Sequence, residues 1–284
     1  MPALVLWLMM LPDVAAAFPE TVAPSGMVDQ DGEVVLDPAL LGASWQQLVK
    51  ELGTAVSNKP ITPAATLGLY GWEVAVWSQF WFIQARDRGG EPSPWDRSWA
   101  DENPPEYLVV PTIGMRKGLP LSTEAGFNVG WIANSSTGVV SGYGRVAVLE
   151  AYRPAPDLSL QIGYSGYVGN DEMELGVLDL GITLGTTALT GTIPGVSDAE
   201  ISPWVNFTTL RISASPRGID EAVLQDIGAA AYKRGTEEDL EAPLVVPQIG
   251  AGLQVVAQSF HVRTVITWAP ATIPTVSAGM GFTF

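Results

Sequence analysis

The sequence predicts an all-β protein: an antiparallel up-and-down β-barrel of about ten strands, preceded by an N-terminal helix. Three observations favour this fold. From Thr66 onward, apolar and polar residues alternate in one segment after another, which is typical of strands with two different faces. The polar faces carry few charges, and charged residues make up only 15% of the 284 residues. After residue 17, no apolar run is long enough for a membrane-spanning helix, so a membrane location would require a closed barrel of strands.

The last strand shows the alternation most clearly. One face carries Val276, Ala278, Met280, Phe282 and Phe284, and the other carries Thr275, Ser277, Gly279, Gly281 and Thr283. Four of these residues, Ser277, Gly279, Phe282 and Phe284, match the C-terminal assembly signal of bacterial outer-membrane β-barrels, which this stretch resembles. The resemblance implies a Gram-negative outer-membrane protein that is surrounded by the lipid bilayer and lipopolysaccharide. It also implies the barrel assembly machinery as a partner during biogenesis.

Alternation divides the chain after residue 66 into ten segments, most of them long enough to cross a bilayer as tilted strands. If both chain ends are periplasmic, the odd connections face the outside and can be long, while the even connections are tight. The two longest connections, 84–106 and 215–243, are both odd, and the second has the pattern of a short helix. The predicted strands are 66–83, 107–117, 122–134, 139–152, 158–169, 173–188, 198–214, 244–258, 261–269 and 273–284.

Two segments precede the barrel, which we assign to residues 66–284. Residues 1–17 have the apolar core and the Ala15-Ala16-Ala17 cleavage pattern of a signal peptide, although they contain no Lys or Arg. The extension 18–65 contains a predicted amphipathic helix at 37–57, with Asp37 and Pro38 as its start. Its apolar stripe could plug the barrel, but we expect it to pack at the periplasmic mouth. The stripe consists of Trp45, Leu48, Val49, Leu52 and Val56.

The alternation also places charged side chains inside the barrel and aromatic side chains near the strand ends. Charges of both signs in a narrow lumen imply ion pairs, because unpaired buried charges are costly. The predicted lumen network is Glu73, Arg116, Glu124, Asn128, Arg145, Asp179, Arg211 and Arg263. The predicted interface aromatics are Tyr70, Trp81, Tyr107, Trp131, Tyr152, Tyr164 and Trp268.

The functional signals are weaker than the structural ones. The net charge of −16 argues against nucleic acid as a partner, and no catalytic, metal-binding or cofactor motif has the required spacing, so we expect neither an enzyme nor a cofactor. The only histidine, His261, is interpreted as structural. We expect an outer-membrane barrel with a structural, surface-interaction or narrow small-solute transport role. The alternatives are a porin or hydrophobic-compound channel, and a secreted soluble β-sandwich that binds a ligand.

Overall fold

The computed structural model describes residues 38–83, 93–98, 105–150, 156–186, 189–193, 196–217 and 243–284. The predicted signal peptide, the proposed helix start at Asp37 and most of the connection predicted to contain a second helix lie outside these residues. The described elements are helices α1 (Pro38–Val56) and α2 (Pro94–Ser98), and strands β1 (Trp72–Trp81), β2 (Leu108–Leu119), β3 (Thr123–Trp131), β4 (Gly138–Leu149), β5 (Asp157–Val168), β6 (Met173–Gly185), β7 (Leu189–Ile193), β8 (Val196–Pro216), β9 (Leu244–Ala257), β10 (Phe260–Trp268) and β11 (Thr275–Thr283).

The strands form one closed antiparallel sheet. Their order is β6-β5-β4-β3-β2-β1-β11-β10-β9-β8, and a pairing between β6 and β8 closes the ring. The short strand β7 continues the line of β6 along the same partner, since Gly185 pairs with Trp204 and Leu189 pairs with Ile201. Together β6 and β7 therefore occupy one of ten positions around the barrel. The predicted ten-stranded barrel is confirmed, and the β-sandwich alternative is wrong because there is no second sheet among the described strands.

Alternation gives the barrel wall two different faces. On β5, Leu160, Ile162 and Tyr164 are exposed, whereas Ser159 and Gln161 are buried. The same arrangement recurs around the ring, so large apolar side chains cover the outer surface and most charged strand residues point inward. Outward residues that are about half exposed include Ile113, Phe127, Phe207, Ile249, Ile266 and Met280. A continuous apolar belt of this size is not typical of a surface that faces water.

The two ends of the barrel differ in their connections. We call the loop end the one that carries connections 82–107, 132–137, 169–172, 217–243 and 269–274. The terminal end carries connections 120–122, 150–156 and 258–259, which have three, seven and two residues, together with Phe284. At the terminal end, Trp72 and Phe284 exchange two backbone hydrogen bonds, of 3.0 and 2.8 Å. The first and last strands therefore meet at a seam that stays paired as far as the last residue.

Helix α1 lies inside the loop half of the barrel. Residues 51–56 are buried on every side of the helix, which requires protein all around it. Glu51 accepts a hydrogen bond of 2.6 Å from Trp95 Nε1 in α2, and Gln47 donates one of 2.8 Å to the carbonyl oxygen of Ala271. The apolar stripe packs against inward side chains that include Trp81, Val110, Val177, Leu210, Ile212 and Val246.

The predicted helix is thus present, but its expected position at the mouth of the terminal end is wrong. Trp45 and Leu52 are buried in the loop half. The physical reason is that inward residues are apolar in the loop half and charged in the terminal half. In the loop half the helix buries apolar surface against apolar surface, whereas in the terminal half it would remove water from charged side chains without offering them hydrogen bonds. Neither described helix is long and apolar enough to span a membrane.

Candidate functional site

The most distinctive feature of the barrel is the chain that runs through its lumen. After α1 ends, residues 57–66 continue toward the terminal end and are mostly buried. Asn58 accepts a hydrogen bond of 3.0 Å from Asn128, and the carbonyl oxygen of Pro60 accepts one of 3.2 Å from Trp204. At the terminal end, the backbone of Thr66 donates a hydrogen bond of 2.7 Å to Glu150. We call α1 and residues 57–66 together the lumen segment.

The chain must reverse at the terminal end in order to enter β1. It does so over β2, where Lys117 Nζ donates a hydrogen bond of 2.6 Å to the carbonyl oxygen of Leu69. Gly118 lies directly below this turn, and a Cβ at that position would overlap the carbonyl oxygen of Gly68. Gly68 itself has a φ of 71°, a left-handed conformation that favours glycine. Two glycines thus make room for the reversal.

The terminal half of the lumen is crossed by a network of buried ion pairs. Arg116 donates to both Glu73 and Glu124, with N–O distances of 2.6 and 2.9 Å. Arg263 binds the other oxygen of Glu73 at 2.7 Å, and Arg145 binds the other oxygen of Glu124 at 2.8 Å. Each carboxylate therefore has two arginine partners. All five side chains are almost fully buried, so the pairing offsets a large desolvation cost.

Arg145 also holds the lumen segment. Its guanidinium donates to the hydroxyl of Thr62 at 2.6 Å and to the carbonyl oxygens of Pro63 and Ala65 at 2.7 and 3.2 Å. With its bond to Glu124, the side chain makes four hydrogen bonds, and three of them go to the threaded chain. Hydrogen bonds from Arg145 thus connect the barrel wall to the lumen segment in the terminal half.

A glycine on the last strand allows the network to cross the seam. Glu73 is on β1 and Arg263 is on β10, and β11 lies between them. Gly281 of β11 faces inward at this level, where a Cβ would lie 2.7 Å from His261 Nε2 and 2.6 Å from the Cβ of Ala75. Because that space is free of a side chain, His261 comes within 3.7 Å of Glu73 and also contacts Arg263.

Between the two halves, the lumen segment meets a second polar group. Asp179 of β6 is fully buried. Its carboxylate lies beside Gly163 of β5, where a Cβ would come within 2.6 Å of Asp179 Oδ2 and 2.9 Å of Asn58 Nδ2. Lys59 is itself buried, and its Nζ donates to the carbonyl oxygens of Ala55 and Ser57 at the end of α1. A cavity of about 20 Å³ lies beside Lys59, against β1 to β4. Such a volume can hold about one water molecule.

Seven of the eight predicted lumen residues face the interior, and the structure joins most of them through contacts. Glu73, Arg116, Glu124, Arg145 and Arg263 form the network described above, while Asn128 and Asp179 line the middle of the lumen.

Arg211 is the exception, because it is exposed on the outer face of β8 between the inward residues Leu210 and Ile212. A similar correction applies to Trp81, a predicted interface aromatic that is fully buried inside. Five of the other predicted aromatics, Tyr70, Tyr107, Trp131, Tyr164 and Trp268, are exposed on the outside, and Tyr152 lies outside the described residues.

The four residues that resemble an assembly signal divide between the two faces. Ser277 and Gly279 face the lumen, Gly279 beside Trp77, whereas Phe282 and Phe284 are exposed on the outer face. The ring of Phe282 packs on that of Phe260, with 5.4 Å between their centroids. The structure thus agrees with the alternation on which the resemblance is based, while the signal itself stays a prediction.

Sequence reasoning missed several contributors to the site. Tyr143 donates a hydrogen bond of 3.2 Å to Glu124, and its position two residues before Arg145 on the same face could have revealed it. Residues 62–65 and Lys59 gave no comparable signal, because their contacts arise only when the chain runs through the lumen, and no sequence pattern predicts that path. No group of three or more His, Asp or Glu side chains within the described ranges is arranged to hold a metal ion.

Comparisons with known proteins find similarity in structure alone. No family model and no curated protein matches the chain. Among solved structures, the KdgM porin has 6% identity and a TM-score of 0.34, and the match covers 75% of this chain and 99% of that one. The N-terminal β-barrel domain of OprF from Pseudomonas aeruginosa has 12% identity, coverage of 76% and 99%, and a TM-score of 0.28.

A third similar structure is Ail, the attachment invasion locus protein of Yersinia pestis, with 7% identity, coverage of 76% and 99%, and a TM-score of 0.23. At these values the likeness concerns the general barrel fold and carries no argument about function. The fold and the lumen define this chain as a closed ten-stranded antiparallel β-barrel with its own N-terminal helix inside.

Proposed function

We propose that the protein is an integral outer-membrane β-barrel with a closed lumen, and that its role is structural or in surface interaction. The membrane location is supported by the apolar belt, in which residues such as Ile162 and Ile266 are about half exposed. Lipid tails are the surroundings in which this belt is stable, and a closed barrel satisfies every strand's hydrogen bonds there. The lipid bilayer, lipopolysaccharide and, during biogenesis, the barrel assembly machinery are the partners that this proposal implies.

The observation that carries the closed lumen is the lumen segment itself. Helix α1 fills the loop half, and residues 57–66 with the ion-pair network fill the terminal half. The cavity of about 20 Å³ beside Lys59 has room for about one water molecule. A ten-stranded barrel is only slightly wider than an eight-stranded one, whose interior side chains alone fill it. An open porin is therefore the less favoured function.

Conductance in planar bilayers tests the proposal. The intact protein should give no steady current, because both halves of its lumen are filled. Deleting residues 18–57 should give at most a small current, since residues 58–66 still bind Arg145 across the terminal half. Deleting residues 18–66 removes the whole lumen segment and should give clearly larger single-channel steps.

The control for this series is Arg217→Met, which changes an exposed charge outside the lumen and should give no steady current, like the intact protein. Heat-modifiable migration on a gel identifies the variants that have folded as barrels. Large, stable steps from the intact protein would refute the closed lumen. A full current already after deletion of 18–57 would mean that α1 alone closes the barrel.

A further inference from the structure

The contacts of the lumen segment follow a consistent order along the barrel axis. Gln47 and Glu51 contact groups in the loop-end connections, namely Ala271 and Trp95. Gly53 lies further from the loop end, against Ile212, which is four residues inside the end of β8. The chain therefore descends into the loop half as the residue number rises.

The same order continues through the terminal half. Asn58 contacts Asn128 in the middle of β3. Ala64 then lies beside Gly185, the last residue of β6 at the terminal end, where a Cβ on Gly185 would be 3.3 Å from the Ala64 nitrogen. Thr66 finally reaches Glu150, just beyond the end of β4. The chain therefore enters at the loop end and leaves at the terminal end.

The order of these contacts places the start of α1 at the loop end. The helix is unbroken from Gln47 back to Pro38, and nine residues of α-helix extend about 13 Å along the axis. Since Gln47 is already at the level of the loop-end connections, Pro38 lies further from the lumen on the same side. Any chain before Pro38 continues from that point.

We propose that the lumen segment is threaded through the barrel from the loop end to the terminal end, so that Pro38 lies on the side of the membrane opposite to Phe284. We call the residues before Pro38 the arm. This inference rests on the proposed membrane location. With the long connections outside the cell, Pro38 faces the cell exterior. This differs from the arrangement expected from an even strand number, in which the chain enters and leaves the barrel on the periplasmic side.

The contacts in both halves hold the lumen segment in this position. Withdrawing the lumen segment toward the terminal end would bring the apolar stripe of α1 past Arg116, Arg145 and Arg263, which are paired and buried. It would also break the three hydrogen bonds from Arg145 to Thr62, Pro63 and Ala65. A helix with side chains is about 10–12 Å wide, so that half would have to open before it could pass.

Site-specific proteolysis of intact cells tests the side of the membrane. A protease site is inserted singly after Gly26 in the arm, after Gly235 in the β8–β9 connection, or after Pro154 in the β4–β5 connection. We expect added protease to cut the Gly26 and Gly235 sites in intact cells, and the Pro154 site only after the outer membrane is permeabilised. If the Gly26 site behaves like the Pro154 site, the threading is wrong.

A cysteine pair tests the threading in a chain without insertions. A Cβ at Gly53 would lie 2.5–2.8 Å from three side-chain carbons of Ile212, so Gly53→Cys with Ile212→Cys should form a disulfide, and Ile212→Cys alone is the control because it adds no atom at position 53. In a separate chain, Met27→Cys alone gives a single labelling site on the arm, since the protein has no other cysteine. A membrane-impermeant thiol reagent should reach it in intact cells, and protection until permeabilisation would overturn the proposal.

The outcomes separate this inference from the proposed function. A conducting intact protein with the arm at the loop end would refute the closed lumen and keep the threading. A closed protein with the arm at the terminal end would do the reverse. Equal cleavage at both ends of the barrel in intact cells would overturn the membrane location and, with it, the inference.

Discussion

Replacing single members of the ion-pair network should destabilise the barrel by amounts that follow from the remaining partners. In Arg116→Met, Glu73 keeps Arg263 and Glu124 keeps Arg145, so neither carboxylate is left without a cation. Removing one partner of a buried ion pair typically costs about 3–5 kcal/mol. We expect this variant to lose about 3 kcal/mol of unfolding free energy, at the lower end of that range.

Glu73→Gln should cost more, although the side chains are nearly equal in size. Arg116 keeps Glu124, but Arg263 loses its only carboxylate in the described network and is left beside His261. The buried charge changes from three arginines with two carboxylates to three with one. We therefore expect a loss of about 5 kcal/mol, at the upper end of the same range.

Urea unfolding of the protein in lipid vesicles, followed by tryptophan fluorescence, measures both losses. The matched control is Arg217→Met, which breaks the ion pair of 2.5 Å with Glu174, because both of these side chains are more than half exposed. Exposed pairs contribute about 0–1 kcal/mol. The reasoning fails if Glu73→Gln is less destabilising than Arg116→Met, or if either variant matches the control.

Two further predictions concern the last strand. Gly281→Val should destabilise the barrel by about 1–3 kcal/mol through overpacking against His261. The control is Gly144→Val, which should change the urea midpoint little because a Cβ there meets no atom within 4 Å. Equal urea midpoints for the two variants would contradict the conclusion that Gly281 makes room for the ion-pair network to cross β11. Changing Phe282 and Phe284 to Ser should leave the protein in the periplasm, as measured by membrane fractionation, and normal amounts of inserted barrel would refute the proposed assembly signal.

The barrel was predictable from sequence because its strands alternate over most of their length. Ser159 and Gln161 opposite Leu160 and Ile162 specify one inward and one outward face without knowledge of the rest of the chain. The same parity placed Glu73, Arg116, Glu124, Arg145 and Arg263 inside. Their individual ion-pair partners could not be predicted from sequence, since Arg263 on β10 and Glu73 on β1 pair across the intervening strand β11.

The errors have a common physical origin in the loop half. There the inward residues Leu210 and Ile212 are apolar because they pack against α1, so the rule that charged residues face the lumen no longer holds. Arg211 therefore lies outside and Trp81 lies inside. The helix itself was recognisable from its stripe, but the half of the lumen that receives it depends on contacts with residues 44 to 224 positions away, such as Trp95 and Ala271.

The paired seam between β1 and β11 constrains the order in which the protein can be built. Trp72 and Phe284 close the ring by hydrogen bonds to each other's backbone, and a closed ring leaves no gap for a chain to enter from the side. The ion-pair network crosses the terminal half, so a helix could not pass through that end either. We therefore expect helix α1 to be enclosed while the sheet is still open, and the seam between β1 and β11 to form after it.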